Sequence, residues 1–240
     1  MSDINIQIWY EEKATRWREL LPPWYNFWTN GTLTTGALAG ENIEDHKKSL
    51  DAIFLDHVLC NDLPLIVAWD PENQKVAGFL FSTVRTAEKN KTAPIHPEDH
   101  KKAYLKDIRN FNKHFSDKTL VAKLEAMDYF LNQLSRKGDA CQIYGVDRVW
   151  VISLLSILPE YTRRGLACRL TQQVLHEAKE KGFPVIIAEV TNYYTEKVFV
   201  QKFDFDKVLE LPFSEYSNYS QVPERIKKTN INAVLVAKRI

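Results

Sequence analysis

Residues 154–170, LLSILPEYTRRGLACRL, change from an apolar run to a basic junction that contains a glycine. The apolar run is typical of a buried strand, and the residues after the junction follow a helical pattern. The first turn of a helix has unpaired backbone N–H groups and the positive end of the helix dipole, so it attracts anions. Gly165 lets a ligand approach the backbone, and Arg163 and Arg164 add positive charge. The junction indicates a phosphate-binding loop; the alternative is a solvated turn that starts a core helix.

The composition excludes several classes of protein. The 240 residues are 45% hydrophobic, and 32 basic side chains nearly balance 31 acidic ones, which argues against nucleic-acid or membrane partners. Cys60, Cys141 and Cys168 are too few and too scattered for a disulfide framework, which favours a reducing compartment. The start, MSDINIQIWYEE, lacks the basic and apolar regions of a signal peptide. We expect a cytoplasmic monomer with one domain over residues 1–240.

Seven segments that flank or precede this junction have the pattern of strands. INIQIWY alternates apolar and polar residues, and LPLIVAWD and KVAGFLFSTV form a hairpin across PENQ. DRVWVISLLSIL and PVIIAEV are apolar enough for buried strands on either side of the helix after the junction. DKVLELPF and NINAVLVAKRI supply two late strands. This order predicts an α/β (mixed α+β) fold with a central twisted mixed sheet of about seven strands, flanked by helices.

The remaining segments predict the helices of this fold. Pro22-Pro23 should end or kink an early helix, and helical spacing continues from Ile43 to Leu59. A further helix runs from about Asp117 to Leu134, with Ser116 as its cap and Gly138 just past its end. The helix of the junction begins near Thr162 and ends near Gly182, and a short one follows from about Tyr194. The segment from Thr86 to Ser116 predicts an exposed loop, a candidate lid.

The junction resembles the signature of the GCN5-related N-acetyltransferases, which reads Gln or Arg, two variable residues, Gly, one variable residue, then Gly or Ala. Here the frame is Thr162-Arg163-Arg164-Gly165-Leu166-Ala167, and Thr162 departs from it. The segment LSILPEYTRRGLACRL is similar to the strand, bulge, loop and helix with which this superfamily binds acetyl-CoA. VIIAEVTN is similar to its next strand. The order of elements resembles the insect arylalkylamine N-acetyltransferases.

This resemblance implies a cofactor site and a reaction. Acetyl-CoA would be the co-substrate, the sheet would splay at a bulge near Leu155-Ser156-Ile157, and the acetyl group would pass directly to a small arylalkylamine of the dopamine, tyramine or serotonin type. A polyamine acetyltransferase and an acyl-CoA-binding protein with lost or altered chemistry are the alternatives. Asn192 would bond to the cofactor arm, or simply cap a helix. The implied cofactor-binding residues are Leu155, Ser156, Ile157, Thr162, Arg163, Arg164, Gly165, Leu166, Ala167 and Asn192.

The resemblance breaks at the catalytic base. The insect enzymes carry a pattern like Phe-Phe-x-Asp-Glu-Pro-Leu, whose glutamate acts on the amine, and residues 27–33 here read FWTNGTL, with Gly31 in its place. The nearest acidic candidates for a base are Glu41 and Glu44, which could equally be helix N-terminal carboxylates. Glu189 at a strand end is a third candidate. The hydroxyl of Thr195 or Tyr194 could serve the departing thiolate, although Thr195 could instead be an ordinary helix residue.

Other residues carry weaker signals. An aromatic amine pocket or a core could be formed by Trp24, Phe27, Trp28, Tyr193 and Tyr194. His96 and His100 are four residues apart but have no third ligand, so we expect no metal site. The sequence contains neither a Walker motif nor the spacing of a Ser-His-Asp hydrolase.

Overall fold

The computed structural model describes residues 3–56, 63–87 and 111–240. Its strands form one seven-stranded sheet in the order β1-β2-β3-β4-β5-β7-β6. β4 and β5 are parallel, and the other neighbours are antiparallel. The predicted mixed α/β fold is therefore confirmed. The strands are β1 Asn5–Trp9, β2 Leu65–Asp70, β3 Lys75–Thr86, β4 Arg148–Ile157, β5 Val185–Val190, β6 Asp206–Pro212 and β7 Asn232–Arg239.

Helices flank both faces of this sheet. None of those within the described ranges is long and apolar enough to cross a membrane. Short 3₁₀ turns at Trp17–Leu20, Pro159–Tyr161, Phe213–Glu215 and Tyr219–Gln221, and a π-helical turn at Val198–Lys202, join or extend them. The α-helices are α1 Glu12–Thr15, α2 Leu21–Asn30, α3 Thr32–Ala37, α4 Ile43–Phe54, α5 Phe111–His114, α6 Lys118–Lys137, α7 Ala140–Tyr144, α8 Leu166–Glu180, α9 Tyr193–Lys197 and α10 Glu224–Lys227.

Two hydrophobic cores lie on opposite faces of the sheet. Val149 and Val151 of β4 point into the core that helices α2, α3, α4 and α6 cover, and we call this side the α6 face. Trp150 and Ile152 point into the core that α8 covers, and we call this side the α8 face. This alternation follows from the period of two in a strand. The α8 face receives Leu166, Leu170, Val174 and Ala178, the apolar stripe that the sequence predicts.

β4 contains a bulge at Ser153. Phe81 of β3 pairs with Leu154, whereas the next β3 residue, Ser82, pairs with Ile152. Ser153 is the extra residue, and its hydroxyl lies 2.9 Å from the hydroxyl of Thr83 on β3. An extra residue in one strand bends that strand and changes which residues face each side.

The bulge is two residues earlier than the family resemblance implies. Residues Leu155, Ser156 and Ile157, where we expected it, pair regularly with residues 78–80 of β3. On its other side, β4 pairs with β5 only as far as Ile152 opposite Ala188. The two parallel strands then separate, and no described strand pairs with the β5-facing edge of β4 over residues 153–157. The expected splay is present, and the bulge marks its start.

Four helix boundaries differ from their predictions. Pro22 and Pro23 lie in the first turn of α2 rather than at a helix end, because the first turn requires no N–H donor. Asp117 caps α6 in place of Ser116, since its carboxylate accepts from two backbone N–H groups. α8 begins at Leu166 rather than near Thr162. α4 ends at Phe54; residues 57–62, and residues 88–110 of the expected lid, lie outside the described ranges.

Candidate functional site

The phosphate loop predicted from the sequence is an open helix N-terminus. Residues 162–165 are exposed, and α8 has no side chain capping its first N–H groups. Gly165 precedes the helix at φ 73°, in the left-handed region that favours glycine, and a Cβ there would meet nothing within 4 Å. The first turn of α8 therefore presents free N–H groups and a positive dipole to the surface, as an anion site requires.

A buried hydrogen bond fixes this loop to the β2–β3 turn. The hydroxyl of Tyr161 donates to Oδ2 of Asp70 across 2.5 Å, and both residues are buried. The Asp70 carboxylate also accepts from the backbone N–H groups of Glu72 and Asn73. The hydrogen bond from Tyr161, followed by that from the Asn73 side chain, lowers the pKa of Asp70 to about 2. The loop is thus held by an ionised carboxylate beneath it.

The two arginines of the loop differ in their surroundings. Arg164 donates to the backbone oxygen of Glu160 and lies 4.8 Å from the ring centroid of Tyr161, so it braces the loop itself. Arg163 is exposed and makes no ion pair or hydrogen bond with any residue that the structure describes. Lys75 lies on the same Tyr161 ring, 5.1 Å from its centroid. Arg163 is therefore the arginine that remains available to a phosphate.

Helices α2 and α3 close one end of the splay between β4 and β5. Ser156 donates to the backbone oxygen of Pro23 across 2.6 Å, and Asn26 donates to the backbone oxygen of Ile157 across 3.1 Å. Thr32 donates to the backbone oxygen of Thr191, just after β5, across 2.7 Å. The hydroxyl of Ser156 is thus directed at α2 rather than into the splay, and the residue pairs with Phe79 of β3.

Asn192 caps α9. Its Oδ1 accepts from the backbone N–H groups of Tyr194 and Thr195 at 2.9 and 3.3 Å. Its Nδ2 makes no hydrogen bond within the described part of the chain, and the side chain is half-buried. The side-chain oxygen of Asn192 is therefore a helix cap. The side-chain nitrogen could still donate to a cofactor arm. Thr195 lies in the first turn of α9, where its hydroxyl also forms no hydrogen bond with a described residue.

Glu41 and Glu44 have cationic partners away from the strands. Glu41 lies 3.1 Å from Nε2 of His46 and 3.6 Å from Nζ of Lys123. Glu44 is in the first turn of α4, exposed, and paired with Lys47 at 2.7 Å. Neither carboxylate bonds to a residue of β4 or β5 in the described chain. Glu44 is therefore a helix N-terminal carboxylate, which was the alternative to a catalytic base.

The position of the family glutamate is closed by packing. Gly31 has an extended backbone and precedes α3. A Cβ on Gly31 would lie 2.6 Å from Oγ1 of Thr34 and 2.8 Å from the backbone oxygen of Phe27. Both distances are shorter than a normal contact, so a side chain at this position requires the turn to move.

Glu189, the third candidate, lies where the strands separate. It follows Ala188, the last residue of β5 that pairs with β4, and its Oε1 lies 2.7 Å from Nη2 of Arg85. Ser135 on α6 donates to the same oxygen. Arg85 and Ser135 were not predicted as site residues, because their sequence patterns are weak. Arg85 is a charged residue that interrupts an apolar strand, and Ser135 is a polar residue on the buried side of a helix.

The predicted aromatic pocket divides in two. Trp24 and Trp28 are core residues, with ring centroids 5.5 Å apart, and do not line a pocket. Phe27 is half-buried. Tyr193 and Tyr194 are exposed at the start of α9, with ring centroids 5.6 Å apart, and Tyr194 is 67% exposed. The exposed tyrosines are the aromatic surface next to the splay.

Within the described ranges, no group of three His, Cys, Asp or Glu side chains could hold a metal ion. His96 and His100 lie outside those ranges, as does Cys60. Cys141 and Cys168 are free thiols.

Solved structures share this fold at low sequence identity. Arylalkylamine N-acetyltransferase 2 from Aedes aegypti superposes with a TM-score of 0.69 at 17% identity, over 99% of both chains. A polyamine N-acetyltransferase from Drosophila melanogaster, which forms N-acetylagmatine, has a TM-score of 0.65 at 13% identity, over 99% of this chain and 100% of that one. The C-terminal condensation domain of Ebony, solved with β-alanyl-dopamine, has a TM-score of 0.63 at 16% identity over the full length of both.

A family model adds sequence support to the likeness in fold. No curated protein matches the chain significantly. The model of the acetyltransferase (GNAT) family matches residues 37–205, which include the phosphate loop, the splay and Glu189. The sheet order, the open N-terminus of α8 and this match agree, and the chain belongs to the GNAT acetyltransferase family.

Proposed function

We propose that this protein transfers the acetyl group of acetyl-CoA to the primary amine of a small arylalkylamine. The observation that carries the proposal is the open N-terminus of α8 beside the splay. The backbone from Thr162 to Ala167, with Arg163, would hold the pyrophosphate, and the backbone of Leu155, on the edge of β4 that faces the splay, would bond to the pantetheine arm. The sequence expectation of a cytoplasmic monomer stays part of this proposal.

The choice of an aromatic amine is supported by two observations. The exposed Tyr193–Tyr194 pair at the end of the splay offers faces on which an aromatic ring can stack. The structural relative from Aedes aegypti is named for arylalkylamines. The Drosophila melanogaster relative is named for polyamines, so agmatine and spermidine belong in the same substrate test.

Two glycines of one helix provide a matched test of the cofactor site. Gly165 and Gly182 lie at opposite ends of α8 with φ 73° and 68°, and neither would place a Cβ within 4 Å of another group. Replacing either with valine imposes the same backbone strain, about 1–3 kcal/mol. We expect Gly165→Val to lower acetyl-CoA affinity at least tenfold in calorimetric titration and Gly182→Val to leave it unchanged. Equal affinities in the two variants would refute the assignment.

An acyl-CoA-binding protein without transfer chemistry is the second candidate function. It is favoured by Gly31, because the family glutamate is absent and a Cβ there meets Thr34 and Phe27. Thiol release from acetyl-CoA with tyramine, dopamine, tryptamine, spermidine and agmatine separates the candidates. Turnover with one of these amines supports the transferase and identifies its substrate class. Tight acetyl-CoA binding without turnover of any of them favours the second candidate.

A further inference from the structure

A polar cluster lies on the α6 face of the sheet at the start of the splay. Glu189 of β5 accepts through Oε1 from Arg85 of β3 and from Ser135 of α6. Its Oε2 makes no hydrogen bond or ion pair with any residue that the structure describes. The carboxylate is therefore held by one oxygen and free at the other. Its side chain is 18% exposed, so the free oxygen can meet a small molecule.

The open surface beside Glu189 is made by the bulge. Continuing the parallel register of Ile152 with Ala188 places the bulged Ser153 across from Glu189. Ser153 is exposed although β4 is a central strand, and its hydroxyl contacts Thr83. Thr83 lies on the same face as Phe81, which is part of the α6-side core. The sheet is therefore exposed on this face at Ser153, beside the place where an acetyl group held in the splay would lie.

Glu189 is the candidate carboxylate that lies at the splay. Among the described residues, Arg85 holds Oε1 of Glu189, and the Cys141 thiol of α7, whose pKa is raised by burial, lies near Arg85. The other candidates, Glu41 and Glu44, are each paired with a lysine. An amine that approaches the splay from the exposed face at Ser153 would therefore find Oε2 of Glu189 as its hydrogen-bond acceptor.

We propose that Glu189 is the general base of the reaction, in place of the family glutamate, whose position is occupied here by Gly31; this inference rests on the proposed function. Oε2 accepts one proton from the substrate ammonium, and the freed lone pair of nitrogen bonds to the thioester carbonyl carbon. The carbon–sulfur bond breaks with its electron pair going to sulfur, and the thiolate takes a second proton from nitrogen. The products are the amide, the CoA thiol and a protonated Glu189, which returns its proton to solvent.

The test compares pH profiles of thiol release, using the best amine of the panel at saturating acetyl-CoA. We expect Glu189→Gln to lower kcat/KM for the amine about 100-fold at pH 7. The loss should shrink toward pH 10, because alkylammonium ions have a pKa of about 10 and deprotonate without help there. Glu189→Asp keeps the negative charge beside Arg85, so it controls for misfolding caused by loss of that charge. Its kcat/KM at pH 7 should lie between those of the wild type and Glu189→Gln. Acetyl-CoA affinity should be unchanged in both variants.

Glu210→Gln is the matched control. Glu210 is also a strand carboxylate, on β6, with a lysine partner, Lys207, at 3.1 Å and an amide partner, Asn232, at 2.9 Å. It should keep the wild-type profile. A Glu189→Gln variant with wild-type rates at pH 7 overturns the base and leaves the transferase intact. A loss that is equal at all pH values and accompanies weaker acetyl-CoA binding also overturns it. Wild-type protein that binds no acetyl-CoA refutes both the inference and the proposed function.

Discussion

The hydroxyl of Tyr161 donates a 2.5 Å hydrogen bond to Oδ2 of Asp70 and so anchors the phosphate loop to the turn between β2 and β3. Asp70 is fully buried, and it orders that turn through its bonds to Glu72 and Asn73. A buried carboxylate needs such donors in order to stay ionised. One residue therefore supports both the hairpin and the loop on which the proposed cofactor site depends.

This bond predicts a stability that depends on pH. The pKa of Asp70 is about 2 in the folded protein, below its ordinary value, with the Tyr161 hydrogen bond as the largest cause. The stabilisation is therefore present above about pH 4, the unfolded pKa, and is lost as the pH falls through about 2. We expect Tyr161→Phe to lower the free energy of unfolding at pH 7, with a smaller difference from wild type at pH 3.

Tyr216→Phe is the control for this measurement. Tyr216 is also buried but donates to a neutral acceptor, the backbone oxygen of Leu33, across 3.2 Å. Its loss should destabilise the protein to the same degree at pH 7 and pH 3. Urea unfolding at several pH values checks both variants. A Tyr161→Phe effect as large at pH 3 as at pH 7 would contradict the role of Asp70.

The geometry of Ser156 predicts a variant that loses stability without losing cofactor. Its buried hydroxyl donates to the backbone oxygen of Pro23, so Ser156→Ala leaves a buried acceptor with one donor fewer. We expect the free energy of unfolding to fall by about 1–3 kcal/mol. Acetyl-CoA affinity should change less than about twofold, well under 1.4 kcal/mol, because the hydroxyl is directed at α2 rather than into the splay. Urea unfolding and calorimetric titration measure the two effects.

Ser153→Ala provides the comparison within the same strand. Ser153 is exposed at the bulge, and surface substitutions usually change stability by no more than about 0.5 kcal/mol. A Ser156→Ala protein as stable as this control would show that the link between α2 and β4 is weak. A large loss of acetyl-CoA affinity in Ser156→Ala would mean that its side chain takes part in binding.

A comparison of two asparagine helix caps distinguishes a capping role from a role in cofactor binding. Asn192 caps α9 and Asn42 caps α4, in each case through the side-chain oxygen. Replacing either with alanine should cost about 1 kcal/mol of stability. Because Nδ2 of Asn192 bonds to no described residue and lies beside the splay, we expect only Asn192→Ala to weaken acetyl-CoA binding, by about tenfold or 1.4 kcal/mol. Equal affinities in the two variants, by calorimetric titration, would leave Asn192 with capping alone.

Much of the fold could be predicted from the sequence, because strands and helices of this chain carry strong local patterns. The seven strands, the apolar stripe of α8 and the glycine before it depend on residues that are close together in the chain. The helix boundaries depend less on such patterns, since Pro22 and Asp117 act on one turn only. The bulge at Ser153 had no sequence signal, because it is a matter of register between two strands.

By itself the sequence determined the order of elements and the glycine junction before α8, for which spacing along one segment is enough. Only the tertiary structure decided which carboxylate lies at the splay. Glu41 and Glu44 are close in sequence to Gly31 but pair with Lys123 and Lys47. Glu189 meets Arg85 and Ser135, residues 104 and 54 positions away. Such a cluster depends on strand pairing and helix packing, which bring together side chains that no local pattern connects.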